Sequence, residues 1–140
     1  MIKVNVILNN IAWKKYLKNP KNFINKQINI LNKKENRYKK KVLIFNLLLS
    51  NSTEIKKLNK KFRKKNKTTD ILSFPFYDKK LLNKKINAKR EVYLGDVIIN
   101  LSKVKYKNNI KKFHEEFNKL WIHGIVHLFG YKHQRNKDFF

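Results

Sequence analysis

The chain is expected to fold as one α+β domain over residues 1–140, with about four strands in a mixed sheet packed by helices. Three observations lead there. Short segments alternate apolar and polar residues with the period of a strand, while others repeat apolar residues at helical spacing. Hydrophobic residues make up 41% and are spread along the chain, enough for a core at this length. Finally, there is no internal repeat and no Pro/Gly/Ser-rich linker, so nothing divides the chain.

In order, Ile2, Val4, Val6 and Leu8 fall on one side of a half-buried strand. Residues 13–17 begin a helical region that Asn19-Pro20 interrupts, with Pro20 placed in the first turn of a new helix. Phe23, Ile24, Ile28 and Leu31 form that helix's apolar stripe, and residues 33–41 read as a charged loop. Residues 42–49 are apolar and β-prone, as a buried strand requires. Ser50-Asn51-Ser52-Thr53 reads as a turn and N-cap, with Glu54 near the positive end of a short helix. Its inner face is expected to be Ile55, Leu58, Asn59 and Phe62. After a basic loop at 64–67, residues 71–76 read as a strand near an edge, because Pro75 cannot donate to a ladder. Residues 77–90 read as a lysine-rich connection. Glu91–Asn100 is a further strand in which Gly95 suggests a bulge or a close backbone approach. Residues 101–110 are expected to be helical. The strongest helix is 113–129, where Phe113, Phe117, Leu120, Trp121, Gly124, Ile125 and Leu128 share a broad face and Gly130 provides the stop.

The net charge of +26 favours a polyanionic partner, since lysines and arginines neutralise phosphates and release counterions. Only four of the 35 basic residues are arginine, and Asn and Ile are abundant too, a balance that an AT-rich genome also produces through codon usage. With no cysteine, disulfides are excluded and any metal must be held by His, Asp or Glu. No apolar run approaches the roughly 20 residues of a membrane-spanning helix, and the N-terminus lacks the apolar core of a signal peptide. A cytoplasmic or organelle-matrix location is the expectation.

Three of the four histidines lie within eleven residues, His123, His127 and His133. His123 and His127, four apart on a helix, project from one side a turn apart. Gly130 allows the chain to turn back so that His133 brings a third nitrogen to the same ion. Three protein ligands with a vacant fourth position is the pattern of catalytic zinc. Metzincin proteases share this spacing but require a Glu directly after the first His as general base, and Gly124 stands there, so a metalloprotease is disfavoured.

Residues 123–133, HGIVHLFGYKH, resemble the H-G-x-L-H-L-x-G-Y-D-H signature of the YbeY endoribonucleases. Residues 58–75, LNKKFRKKNKTTDILSFP, resemble that family's L-N-x-x-Y-R-x-K-D-x-P-T-D-V-L-S-F-P, and residues 94–100, LGDVIIN, resemble its L-G-D-I-x-I-S. The three occur in the family's order across residues 42–133. The resemblance implies an α+β fold with a four-stranded sheet and one zinc ion in a cleft. It implies a single-strand-preferring endoribonuclease acting on ribosomal RNA precursor, at the small-subunit 3′ end, and in ribosome quality control. Its partners would be RNA and the small ribosomal subunit, with neither DNA nor membrane.

His123, His127 and His133 match the family's metal ligands, and Arg63 matches its functionally important arginine. Arg63 would grip a phosphate and stabilise developing charge, while Lys64, Lys65 and Lys67 follow the RNA backbone or form a solvated charge run. Asp70 is expected to fix a turn and Asp96 to pack near the site, each a lesser candidate for general base. Ser73 is expected to be structural and His114 exposed. Phe74, Phe76 and Tyr131 are candidates for base stacking, with Phe74 better suited to the core. The chain departs from the pattern at Lys132, where the family has Asp, and at Phe62, Asn66 and Thr68. It also runs only seven residues past His133, where family members carry a further acidic helix. A non-catalytic, zinc-containing RNA-binding or ribosome-assembly factor is the alternative.

Overall fold

A computed structural model describes residues 1–35 and 37–131. Four strands, β1 (Ile2–Leu8), β2 (Val42–Ser50), β3 (Ile71–Pro75) and β4 (Glu91–Asn100), form one sheet in the order β1-β2-β4-β3. β1, β2 and β4 run parallel, and β3 pairs antiparallel with β4, so the sheet is mixed as expected. Four helices connect or cover the strands: α1 (Pro20–Lys34), α2 (Ser52–Arg63), α3 (Lys79–Ala88) and α4 (Ile110–Leu128). Among the described residues, no helix is long and apolar enough to cross a membrane.

Caps fix the helix starts. Asn19, Asn51, Asp78 and Asn109 each accept a hydrogen bond from the backbone N–H three residues on, which satisfies one orphaned donor of the first turn. Pro20 sits in the first turn of α1, where its missing N–H costs nothing. Gly130 ends α4 at a φ of +89°, with its N–H donating to the His127 carbonyl at 2.9 Å.

The core lies on one face of the sheet. Leu43, Phe45, Leu47 and Leu49 of β2 alternate inward, joined by Val97 and Ile99 of β4. Phe113, Phe117, Trp121 and Ile125 of α4 close over them. Burying each such side chain contributes about 1.5–3 kcal/mol. Trp13, in a 3-10 turn at Ile11–Lys15, is fully buried and donates its indole N–H to the Ser50 carbonyl at 2.9 Å. On the opposite face, α2 covers the sheet, through Ile55 and Leu58 against Leu48, Leu72 and Ile98.

Gly95 bears out both expectations for it. The β2–β4 register slips there, and its φ is +138°. A Cβ would come within 2.2 Å of the Phe74 carbonyl oxygen, a clash no rotamer relieves.

Four expectations need correction. Residues 77–90 hold helix α3, whose Leu82 and Ile86, four apart, are buried against the core while its lysines face solvent. Residues 101–110 form only the 3-10 turn Leu101–Lys103 before α4 begins at Ile110, because the Asn100 side chain caps that turn and Tyr106 takes a left-handed conformation. Phe62, expected on the inner face of α2, meets Phe74 of β3 edge-on at 5.6 Å but lies in the last turn of the helix and stays 59% exposed. His114 is half-buried, with Nε2 3.0 Å from the Tyr16 carbonyl and its ring against Phe23.

Candidate metal and nucleic-acid site

Helix α4 turns its largest apolar residues to the sheet, which leaves His123 and His127 on the adjoining, half-buried side. Their Nε2 atoms stand 2.9 Å apart, with the rings at 77° and centroids 4.5 Å apart. Two nitrogens on a tetrahedral zinc at about 2.0–2.1 Å lie about 3.3 Å from each other. The pair is therefore within a few tenths of an ångström of a shared-ion geometry, and the residues present fit a metal. Among the described residues, no third His, Cys, Asp or Glu joins them. His133, the expected third ligand, and Lys132 beside it lie outside the described residues.

Gly124 has a structural reason of its own. A Cβ there would meet the Val97 methyl groups at 2.6 and 2.9 Å, so α4 rests directly on β4 at this turn. The residue that removes a protease's general base also brings the histidine pair down onto the sheet.

The pair opens into a cleft of about 440 Å³ between α4, β3 and the loop after α2. Arg63, Lys65, Lys67, Asp70 and Ser73 line it together with His123 and His127. Arg63, the last residue of α2, donates from Nη2 to the Ser73 carbonyl at 2.8 Å and lies over the Phe74 ring at 5.6 Å. Those contacts hold the guanidinium at the mouth of the cleft with further N–H donors to offer an anion. Lys64 is the left-handed C-cap of α2, with φ 56°, and is not among the lining residues, whereas Lys65 and Lys67 are. With three cations against one carboxylate, the wall facing the histidines is strongly positive.

The family model described as Endoribonuclease YbeY matches residues 7–139. The chain belongs to the YbeY endoribonuclease family. It is 42% identical to the Endoribonuclease YbeY of Pelagibacter ubique over 141 residues, covering 99% of this chain and 88% of that one. With the Endoribonuclease YbeY of Buchnera aphidicola it shares 43% identity over 110 residues, 71% of this chain and 61% of the other. A solution structure of a Thermotoga maritima protein superposes with a TM-score of 0.54 at 26% identity, covering 96% of this chain and 76% of that one.

In this YbeY family member, two buried amides shape the cleft: Asn59, which lies on the inner face of α2 as expected, and Asn100, which sequence reasoning overlooked. Asn59 is 3% exposed, and its side chain donates to the Lys67 carbonyl at 2.9 Å. Asn100 is fully buried and shares its two side-chain N–H groups among Ser52 Oγ, Thr68 Oγ1 and the Thr69 carbonyl, while its Oδ1 accepts from the Ser102 N–H. Together they tie down residues 67–69, the far end of the segment that carries Lys65 and Lys67. For Asn59 the signal was a polar residue within an otherwise apolar helical stripe.

Asp96 is corrected. Strand alternation puts it on the sheet face away from the histidines, where it accepts from Asn46 and from the Tyr93 hydroxyl. Burial, and then that bond to Asp96, push the Tyr93 phenol above its ordinary range. Ser73 is buried, with Oγ 3.4 Å from the Gly124 carbonyl, a structural role as expected. Asp70 lines the cleft beside Thr69, and Tyr131 packs under the Lys79 ammonium at 4.4 Å.

Proposed function

We propose that this chain is a metal-dependent endoribonuclease that cuts single-stranded ribosomal RNA precursor during small-subunit 3′-end maturation and ribosome quality control. Family membership supports the hydrolysis of RNA and a metal-dependent role in ribosomal RNA processing. The observation that carries the reading is the facing Nε2 pair of His123 and His127 across a cleft from Arg63.

One zinc, held by His123, His127 and His133, would supply Lewis acidity to a phosphodiester oxygen. The chain's own groups do the rest. Arg63 takes the phosphate through paired N–H donors and offsets the charge that builds on it. Lys65 and Lys67 neutralise the flanking phosphates. A cleft of about 440 Å³ accepts a ligand of small-molecule size, so a paired strand has to open before its backbone reaches the histidines. The small ribosomal subunit as partner and a cytoplasmic or organelle-matrix location belong to the same proposal.

The test compares zinc-loaded parent protein with His127→Ala on a single-stranded RNA oligonucleotide, alongside metal analysis by mass spectrometry. One zinc per parent chain is expected, with cleavage lowered at least about 100-fold in the variant. Equal rates from the two proteins would refute the nuclease reading. Tight RNA binding with one zinc but no cleavage by the parent would instead favour the non-catalytic assembly factor.

A further inference from the structure

Among the described residues, the exposed phenylalanines are Phe62 at 59% and Phe76 at 61%, and both lie at the sheet face opposite α4. They are not isolated. Phe62 meets Phe74 edge-on at 5.6 Å, and Phe76 meets Tyr93 at 5.2 Å. Phe74 and Phe76 are two apart on and just beyond β3, so their rings share a side of the edge strand. The result is an aromatic strip that runs along the sheet margin from the end of α2 to Tyr93.

Leaving a phenylalanine in water forgoes most of what its burial would contribute, so two on one margin need an occupant. Continuity with the cleft selects the kind. Lys61 lies over the Phe62 ring at 5.2 Å, and Arg63 over the Phe74 ring at 5.6 Å. Two carboxylates, Glu54 and Asp96, balance these cations on the same face and are held by hydrogen bonds within the fold. Glu54 accepts from Asn9 and Ser50, and Asp96 from Asn46 and Tyr93. Arg63 also lines the cleft, so a strand whose phosphate it holds there has its neighbouring nucleotides beside Phe74 and Phe62. Every base has a face to stack, and stacking on aromatic side chains tolerates any sequence.

We propose that the strip formed by Phe62, Phe74 and Phe76 is a base-stacking subsite for the single-stranded RNA that enters the cleft past Arg63. It rests on the nuclease reading for its ligand but not on cleavage. Only unpaired bases present their faces, so the strip adds selection for single strands to that imposed by the cleft.

The experiment measures fluorescence anisotropy of a labelled oligouridine with metal-stripped protein, so that nothing is cut. Parent protein, Phe62→Ala, Phe76→Ala and Phe76→Leu are compared, each also against an abasic oligonucleotide with the same phosphates. The alanine variants are expected to bind oligouridine about tenfold more weakly and to be nearly indifferent to base removal. Phe76→Leu, which keeps an apolar side chain, should match Phe76→Ala, separating stacking from hydrophobic contact. Their salt dependence should equal the parent's, since no phosphate contact is lost. Parent-like affinity with a parent-like abasic penalty in the variants would overturn the proposal and leave these rings to a protein partner. Failure of the parent to bind oligouridine overturns it too. Cleavage by zinc-loaded parent is scored separately, so binding without cutting overturns the nuclease reading alone.

Discussion

Gly124→Ala tests whether the histidine pair is placed by direct contact between α4 and β4. The added Cβ would lie 2.6 Å from one Val97 methyl, and ordinary contact begins at 3.4 Å, so the helix must lift by up to about 0.8 Å (3.4 − 2.6) or Val97 must turn. Val97 is fully buried, β-branched and on an interior strand, so turning it costs as much as lifting the helix. Overpacking of this kind costs about 1–3 kcal/mol, and exchanging glycine for alanine within a helix returns about 1 kcal/mol. The net expectation is a loss of about 1 kcal/mol, or a Tm lower by about 3–4 °C. Displacing both imidazoles relative to Arg63 by several tenths of an ångström should lower kcat/KM by up to about 100-fold. Urea denaturation of the single variants and of Gly124→Ala/Val97→Ala isolates the contact. Once the Val97 methyls are gone, the same alanine should become neutral or stabilising. A Gly124→Ala variant that is more stable than the parent, by the helix propensity alone, would refute the close-contact reasoning.

Other expectations follow from the cleft's far wall. Asn100→Ala removes an amide whose two N–H groups and one oxygen make three full hydrogen bonds in a fully buried site, and should cost about 3 kcal/mol in urea denaturation, at about 1 kcal/mol each. Asn59→Leu should cost less globally but speed tryptic cleavage at Lys64, Lys65 and Lys67, because the Lys67 carbonyl loses its tether; an unchanged digestion rate would contradict the tether. Arg63→Lys keeps the charge but loses the planar fork, so kcat/KM should fall at least about tenfold, while losing the bond to the Ser73 carbonyl costs only about 1 kcal/mol of stability. For single-stranded RNA, each of Lys65→Gln and Lys67→Gln should reduce the salt slope of log K by about 0.7, whereas Lys64→Gln should leave it nearly unaltered. Equal slopes for all three would mean that the cleft wall is not where the backbone runs.

Sequence alone determines the elements whose cause is local. The period of Ile2–Leu8, the Asn19-Pro20 start of α1, the Gly130 stop and the i,i+4 relation of His123 and His127 depend on neighbours within a few residues. Helix α3 is equally local, with Asp78 as its cap and Leu82 and Ile86 a turn apart, but its lysines masked a stripe only two residues deep. Tertiary structure decided what depends on distant partners. Strand order comes from pairing across the sheet, and the docking of α4 on the Val97 face of β4 is what leaves Asp96 on the face away from the histidines. Asn59 and Asn100 gained their roles only once the 64–70 segment folded back over them, and the pairing of Phe62 with Phe74 of β3 likewise depends on how α2 docks on the sheet. Arg63 stands opposite the histidines, 60 residues away in sequence, because β3 and α4 both rest on β4. Periodicity encodes which side of an element is apolar; the partner that side meets is set by long-range packing, which no local pattern records.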